Sequence, residues 1–373
     1  MEDLPLRTAY ADLNLGAEFD TPRLDFRANI IIVNFNSGEY LTRCLESLYA
    51  TVLFGVEIIV VDNASTDGSI GKVRYKFPQV RLITSQTNLG FGGACNLAAR
   101  VGVGEYLAFL NPDTVVMPGW LDALIAALDG NPAAGLATSK ILLHNTLDRI
   151  NTCGNDVHIS GLTLCRGMGA SWHEFIHVQQ VSAVSGAAFV IRRELFELLG
   201  GFDESFFLYM EDTDLSWRAR LAGWYILYIP QSLVFHDYKL CFGPYKIFYQ
   251  ERNRYYMLLK CLQWRTLLAL LPVLLLSEII TWGFCMLHAP TSLCDKFRAY
   301  ASLLSNWQAL MRARSQTQNL RRVSDGVLLR STGHSLMFEQ TCNGALAHLA
   351  HRIFDPLFAI CRAIALMVVR SGD

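Results

Sequence analysis

Short apolar runs rich in β-branched residues alternate with helix-like segments through the first third of the chain. The runs predict strands at residues 30–33, 57–61, 80–84 and 106–110. Apolar residues at i, i+3, i+4 and i+7 from Leu41 predict a helix, and Pro118 is expected to open another. Strands and helices in this order favour an α/β fold, with a mainly parallel sheet between two layers of helices.

The second half of the chain has a less regular pattern. A strand is predicted at 181–191 around a centre of small residues, and shorter strands at 225–229 and 233–235. Helices are predicted at 94–101, 193–199, 212–222 and 245–261, and a glycine-rich turn at 88–93.

Polar side chains follow three of the predicted strands at the points where those strands end. They occupy residues 34–36, 62–63 and 111–113. Crossovers between parallel strands are right-handed, so such strands present their C-terminal ends at one edge of the sheet. Ligands of open α/β sheets bind outside that edge. The three clusters together predict one binding site, although each alone would be an ordinary turn.

Asp62 and Asp67 lie in the segment that follows the second predicted strand. A carboxylate only accepts hydrogen bonds, so Asp62 suits the ring N–H of uracil or thymine. Either residue can instead order an Asx turn. For Asp67, which precedes Gly68, the turn is the favoured interpretation, whereas for Asp62 both interpretations remain open.

Further carboxylates occur at the end of the fourth strand and at a predicted helix start. Asp113 could hold a hard divalent cation such as Mg²⁺ together with substrate phosphates. The cluster of Glu211, Asp212 and Asp214 either caps the helix or provides a general base, because close carboxylates raise one another's pKa. His236 follows an apolar strand and is either a packed core residue or a metal ligand.

Residues 266–287 contain one charged residue, Glu278. Their apolar side chains, at roughly −0.5 kcal/mol each, outweigh one acidic residue at roughly +3 kcal/mol on an insertion scale. Pro272 and Glu278 do not suit a plain transmembrane span, and basic residues flank the segment on both sides. An interfacial or re-entrant hairpin, a span and a buried helix pair therefore remain open, and residues 354–369 repeat the ambiguity.

Composition excludes some classes of function. Apolar residues make up 52% of the 373 residues, charged residues 17%, and the apolar excess follows Leu267. A net charge of −1 provides no basic surface for nucleic acid. The ten cysteines contain no C-x-x-C pair, which predicts buried free thiols. The N-terminus lacks a basic n-region and an apolar h-region, so we expect no signal peptide and a cytoplasmic location.

The order of these motifs resembles that of glycosyltransferase family 2, whose members have the GT-A fold, a mixed and mainly parallel sheet flanked by helices. The motifs are VNFN (33–36), VDNASTDGS (61–69), NPDT (111–114), EDTD (211–214) and VFH (234–236). The segments NLGFGGACN (88–96), LNPDT (110–114), SGAAFVIRRELFELLGGFDESFF (185–207) and ERNRYY (251–256) are similar to the bacterial rhamnosyltransferase-like branch.

The resemblance implies roles for the matching residues. It assigns donor binding to Asn34, Phe35, Asn36, Asp62, Asn88, Pro112 and Asp113, with Asp62 on the pyrimidine. It makes Asp212 the base that deprotonates the acceptor, Glu211 an acceptor-binding residue, and Asp113 and His236 ligands of Mg²⁺ or Mn²⁺. Asn111 stands where many members have a first Asp, which should weaken metal binding.

The function implied is an inverting hexosyl transfer from a UDP- or dTDP-sugar, with dTDP-L-rhamnose as the preferred donor. A polyprenyl-diphosphate-linked or polysaccharide acceptor is expected, in cell-surface glycan synthesis at the cytoplasmic face of the plasma membrane. The expected organisation is an extension (1–27), a catalytic domain (28–262) and a helical, membrane-associated region (263–373).

Three alternatives remain open. The donor can be another UDP-sugar, of a hexose or of galactofuranose. The chain can be a non-catalytic member of the family that acts as a binding subunit. It can also be a different α/β nucleotide enzyme, although the absence of G-x-G-x-x-G disfavours a dehydrogenase.

Overall fold

A mixed sheet forms the centre of the structure, a computed structural model that describes residues 26–51, 55–238, 243–336, 338 and 344–370. The strands are β1 (Ala28–Asn34), β2 (Val56–Asn63), β3 (Arg81–Ser85), β4 (Tyr106–Leu110), β5 (Thr114–Val116), β6 (Ala134–Leu143), β7 (Ile150–Thr152), β8 (Asn155–Val157), β9 (Thr163–Cys165), β10 (Gln179–Gln180), β11 (Ala188–Arg192) and β12 (Tyr225–His236). The helices are α1 (Glu39–Thr51), α2 (Ser69–Lys76), α3 (Gly90–Val101), α4 (Trp120–Asp129), α5 (Arg193–Leu198), α6 (Glu211–Leu221), α7 (Pro244–Cys261), α8 (Trp264–Ala269), α9 (Leu271–His288), α10 (Leu293–Ser305), α11 (Trp307–Asn319), α12 (Asp325–Arg330) and α13 (Ala345–Arg370).

Eight strands of the main sheet lie in the order β10-β12-β6-β11-β4-β1-β2-β3. Strands β1 to β4 run parallel to one another. Strand β11 is antiparallel to both β4 and β6, so β6 and its parallel neighbour β12 run in the same direction as β4. The predicted mixed, mainly parallel sheet is confirmed.

Alternate residues of the sheet face two separate layers of helices. Ile30 and Ile32 pack into a core with α1, α2 and α4, whereas Ile31 and Val33 pack with α3, α5 and α6. Burial on both faces explains why β1 reads as an unbroken apolar run rather than an alternating one.

The topology brings the C-terminal ends of several strands to one edge of the sheet. Asn34 pairs with Asp62 across β1 and β2, and Ile32 pairs with Leu110, so the segment after β4 begins near the end of β1. His236 ends β12 at the same edge, and the antiparallel β11 begins there. The predicted meeting of the polar clusters at one edge follows from this arrangement.

Three local predictions about secondary structure are wrong. The strand predicted at 181–191 is a strand only over β11, because the preceding segment turns at the sheet edge. The strands predicted at 225–229 and 233–235 form one strand, β12, whose pairing with β6 shifts between Ile229 and Leu233. The glycine-rich turn predicted at 88–93 is largely the first turn of α3, which begins at Gly90.

The C-terminal helices share a core with the sheet domain. Phe206 and Trp217 pack in one cluster with Leu310 and Phe358. Pro272 lies in the first turn of α9, where a helix needs no backbone N–H, so it does not disturb the helix. The eight cysteines among the described residues form no disulfide, as predicted, and five of them are buried, whereas Cys165 and Cys361 are half-buried and Cys294 is exposed.

Helix α9 is long and apolar enough to cross a membrane by length and composition, and 17% of it is buried inside the protein. Its one acidic residue, Glu278, belongs to a buried cluster of charges. Arg254 donates to Glu278 (2.6 Å), and Lys296 lies 2.9 Å from Glu251 and 3.2 Å from Glu278. The charge of α9 is therefore paired on the protein side of the helix.

Candidate active site

The ends of β1 and β2 form the first part of the site. The fully buried Asn34 side chain donates to Oδ1 of Asp62 (3.0 Å) and to the hydroxyl of Ser69 (2.9 Å). These bonds fix the carboxylate of Asp62, which is itself buried, at the sheet edge. Asn34 therefore orients Asp62 through its own side chain.

The neighbouring donor-site predictions fall into exposed and turn positions. Phe35 is 49% exposed and follows β1 directly. Asn36 has a positive φ of 53°, and its side-chain oxygen accepts from the N–H of Thr66 (2.8 Å). The carboxylate of Asp67 accepts from the N–H groups of Gly38 and Ser69, as its turn interpretation predicts.

Asn88 connects the end of β2 to the start of α3. Its side-chain oxygen accepts from Asn63 (2.9 Å), the residue after Asp62, and from the N–H of Gly90 (2.8 Å). Asn88 thus holds the start of α3 close to the end of β2, which is a role in the turn itself.

Asp113 and His236 lie side by side because β5 pairs with the end of β12. Oδ1 of Asp113 lies 3.2 Å from Nε2 of His236, and Pro112 precedes the pair in a half-buried turn. Nδ1 of His236 lies 2.9 Å from the side-chain oxygen of Asn151. An N–H on Nδ1 bonded to that oxygen leaves a lone pair on Nε2, directed at a carboxylate oxygen.

Two acceptors facing each other fit a bound cation. Oδ1 of Asp113 is buried and accepts no hydrogen bond within the described part of the chain. Adjacent ligands of an octahedral ion with bonds of about 2.1 Å lie about 3 Å apart. Among the described residues no group of three or more His, Cys, Asp and Glu side chains could hold a metal. The pair therefore fits a divalent ion that takes its remaining ligands from phosphate and water.

Asp212 begins the opposite side of the site, at the start of α6. Its Oδ2 accepts from the N–H of Gly186 (2.8 Å) and from the side chain of Asn155 (3.3 Å), and its Oδ1 accepts from the N–H of Thr213 (2.7 Å). Burial raises the pKa of Asp212, while the donated hydrogen bonds oppose that rise.

Glu211 has a different environment from its neighbour. Its Oε2 is buried and has no hydrogen-bond partner among the described residues. Burial, followed by the negative charge of Asp212, raises the pKa of Glu211 to about 8. Hydrogen bonds from Gly186 and Thr213 favour the charged form of Asp212, whereas only its own backbone N–H opposes the effect of burial on Glu211, so we assign the proton of the pair to Glu211. Asp214 faces away, toward Arg218 and Lys260.

A strained loop positions both carboxyl groups. Phe207, Tyr209 and Met210 have positive φ values of 60°, 65° and 67°, directly before α6. The side chain of Asn253, from α7, donates to the carbonyl oxygens of residues 206, 208 and 209 at 3.0, 2.9 and 2.7 Å. A Cβ at Gly90 would lie 2.3 Å from the carbonyl oxygen of Phe207, which explains the glycine at the start of α3.

One cavity of about 280 Å³ joins the two sides of the site. Glu211, Asp212 and His236 line it together with Asn111 and Gly186. Asp113 adjoins it through His236, whereas Asn34 and Asp62 form a separate cluster that does not line it.

The sequence analysis missed several residues that hold the site in place. They are Asn151, Asn155, Gly186 and Asn253. Signals existed for Gly186, in the small-residue centre of a predicted strand, and for Asn253, in the ERNRYY segment. Nothing local distinguishes the others from turn asparagines.

Comparison with protein families gives two overlapping matches. Residues 29–153 match the model described as glycosyl transferase family 2, and residues 106–312 match glycosyl transferase family group 2. The chain is 31% identical over 235 residues to an N-acetylglucosaminyl-diphospho-decaprenol L-rhamnosyltransferase of Mycobacterium tuberculosis, which is 56% of this chain and 75% of that protein. It is 30% identical over 216 residues to the O-antigen biosynthesis protein RfbC of Myxococcus xanthus, which is 55% of this chain and 17% of that protein.

Solved structures share the fold at lower identity. TarS 1-349 of S. aureus in complex with UDP-GlcNAc superposes with a TM-score of 0.52 at 17% identity, over 92% of this chain and 90% of that chain. GalNAc-T7 with UDP, GalNAc and Mn²⁺ gives 0.53 at 19% identity, over 64% of this chain and 48% of that chain. These similarities support the predicted GT-A architecture and no finer property.

Proposed function

The chain belongs to glycosyltransferase family 2, and on that basis we propose that it is an inverting, metal-assisted transferase that moves L-rhamnose from dTDP-rhamnose to a polyprenyl-diphosphate-linked sugar. The observation that carries the proposal is the shared cavity. It has a hydrogen-bonded carboxylate, Asp212, on one side and the Asp113–His236 pair beside its other wall. A base and a leaving-group site on different walls suit a single displacement with inversion.

Asp212 acts as the general base in this proposal. The N–H of Gly186 and the side chain of Asn155 hold its carboxylate in one orientation, and it accepts the proton of the acceptor hydroxyl. Glu211, which keeps its proton at neutral pH, donates a hydrogen bond to the acceptor sugar. The hydroxyl oxygen then attacks the anomeric carbon, and the bond from that carbon to the nucleoside diphosphate breaks.

The donor lies along the edge formed by β1, β2 and β4. Asp62, oriented by Asn34, accepts from the ring N–H of thymine or uracil, and the exposed ring of Phe35 lies next to that edge. A divalent ion held by Asp113 and His236 would neutralise charge that develops on the departing diphosphate. The Asn111 position supplies no second carboxylate, so a bound ion would take its remaining ligands from phosphate and water.

Two observations support the proposed acceptor and the proposed membrane location. The rhamnosyltransferase relative is named for a decaprenol-diphosphate-linked substrate. Helices α9 and α13 expose apolar side chains, which suits an enzyme that lies on a membrane surface where such lipids reside. A cytoplasmic location of that surface stays a prediction.

The test is nucleoside-diphosphate release from a panel of dTDP- and UDP-sugars, with Mg²⁺ or Mn²⁺ and a bacterial lipid extract as acceptor. We expect lipid-dependent release from dTDP-rhamnose that EDTA abolishes. Release from a UDP-hexose or UDP-galactofuranose instead would show that the proposed donor is wrong and would leave the proposed mechanism unchanged. Tight nucleotide binding without release from any donor would favour a binding subunit, and absence of nucleotide binding would refute the proposal.

A further inference from the structure

A second cavity lies directly beside the active-site cavity. It has a volume of about 240 Å³ and lies between β9, α7 and α9. Most of its lining is apolar, from Leu164, Ile247, Ile280, Phe284 and Phe338. Two of the charged side chains on its wall, Glu251 and Lys296, pair with each other, and the third is Lys246.

The two cavities share part of their walls. Leu164, Met210 and Lys246 line both of them, so a ligand can extend from one into the other. Met210 directly precedes Glu211 and Asp212, which places the junction next to the proposed base. Lys246 is half-buried, and its Nζ lies 5.6 Å from the centre of the Tyr209 ring. A cation at this junction complements an anionic group that joins a polar head to an apolar tail.

Helix α9, which is mostly exposed, forms the far wall of this second cavity. Ile280 and Phe284 lie one turn apart on α9 and face the cavity, while Leu275 and Ile279 of the same helix face outward. An apolar chain that leaves the cavity along α9 therefore meets the exposed apolar surface of that helix.

We propose that this second cavity binds the first isoprene units of a polyprenyl-diphosphate acceptor, with the diphosphate at Lys246 and the sugar beside Asp212. The inference rests on the proposed function and adds the site that recognises the lipid. A cavity of ~150 Å³ accommodates a six-carbon ring, so the volume here suits about ten carbons, or two isoprene units. The fit explains why an apolar cavity adjoins a polar active site.

The experiment uses the full chain and two soluble probes, geranyl diphosphate and methyl diphosphate, with affinities measured by titration calorimetry. We expect geranyl diphosphate to bind at least about tenfold more tightly, because removing even two methylene groups from water is worth about that factor. Ile280→Trp, which fills the cavity, should abolish the preference. Leu198→Trp, on an exposed position of α5 that lines neither cavity, should retain it.

A second variant distinguishes loss of the tail site from misfolding of the protein. Phe284→Asn makes the cavity polar without filling it and should also remove the preference, while the thermal unfolding of both variants is compared with wild type. Equal affinities of wild type for the two probes would overturn the tail site, even if lipid-dependent sugar transfer is found. A geranyl preference that Ile280→Trp abolishes would support the tail site, even if no sugar donor is found, and only the proposed function would then fail.

Discussion

Two adjacent carboxyl groups have different proposed roles because their hydrogen bonds differ. Asp212 accepts from Gly186, Asn155 and Thr213, whereas the buried Oε2 of Glu211 accepts from no residue in the described ranges. The first environment stabilises a carboxylate and the second a neutral acid. The sequence shows only that two acidic residues are adjacent, so this difference could not be predicted from it.

Asp212→Asn should reduce the rate of sugar transfer by about 10²–10⁴-fold, because an amide cannot accept the acceptor proton. Donor affinity should stay near wild type, since the amide occupies the same volume. The measurement is kcat for transfer together with the Kd of the nucleoside diphosphate. Asp122→Asn, at an exposed position of α4, is the matched control and should change neither. Near-normal turnover in Asp212→Asn would remove this residue from the role of base.

Glu211→Gln should change how stability depends on pH. The pKa of Glu211 is raised from 4.5 to about 8, so the folded protein keeps a proton that the unfolded chain releases. This contribution is fully present below pH 4.5 and is lost as pH rises to about 8. Urea unfolding of the Gln variant, which stays neutral, should therefore lose less stability than wild type across that window. If the free energy of unfolding depends on pH in the same way for the two proteins, Glu211 ionises normally.

Residue types at strand ends predicted much of the site, and the supporting residues were missed for a physical reason. Asp62, Asp113 and His236 could be predicted because each lies at or just after the end of a strand, and the topology brings these strand ends to one edge. Asn155 and Asn253 act on carboxylates or carbonyl groups 44 or more positions away in the chain. Such pairs depend on tertiary packing, which leaves no local pattern in the sequence.

At the scale of elements, the loop before α6 stores strain next to Asp212, the proposed base. Three residues with positive φ cost about 1–3 kcal/mol each, so other contacts must hold them. Asn253 of α7 donates hydrogen bonds to the carbonyl groups of residues 206, 208 and 209, and Arg252 donates to those of residues 205 and 206. Helix α7 is thus the element that sets the position of Glu211 and Asp212.

Asn253→Ala should lower kcat about tenfold or more with little change in the KM of the donor, because the loop relaxes and moves Asp212. It should also destabilise the fold by about 1–3 kcal/mol, since buried carbonyl groups lose their donor. Steady-state kinetics and urea unfolding provide the two measurements. Asn306→Ala, an exposed asparagine between α10 and α11, is the control. A loss of stability with unchanged kcat would mean that Asn253 is structural only.

Strand prediction failed where burial removes the alternation of side chains. Strand β6 was missed altogether, although nine of its ten residues are buried and it pairs with β12 and β11. Its sequence AGLATSKILL mixes small, polar and apolar residues on both faces, so neither a strand nor a helix period stands out. The parallel strands β1, β2 and β4 were found because branched apolar residues fill them.

At the scale of the molecule, the C-terminal helices have one polar, paired side and one exposed apolar side. Arg254 and Lys296 pair with Glu278 on the inner side of α9, so the helix remains attached to the protein by a buried charge cluster. A true span would have to remove Glu278 from these partners and place it in lipid, which is costly. On the proposed membrane surface, this geometry suits a helix that lies in the interface, one of the alternatives left open by the sequence.

The double substitution Leu275→Glu and Ile279→Glu should therefore release the protein from lipid vesicles. The two side chains are four residues apart on one face of α9 and are 65% and 63% exposed. Losing their transfer into lipid, at about 1.5 kcal/mol each, lowers the partition constant by about 100-fold. Vesicle flotation measures the partition, and Leu198→Glu on α5 is the matched control. Nucleotide binding should survive in the double variant and in the control, because none of the three substituted positions lies at the sheet edge that carries the candidate site. If the double variant floats with vesicles as wild type does, the outer face of α9 is not the membrane-binding surface.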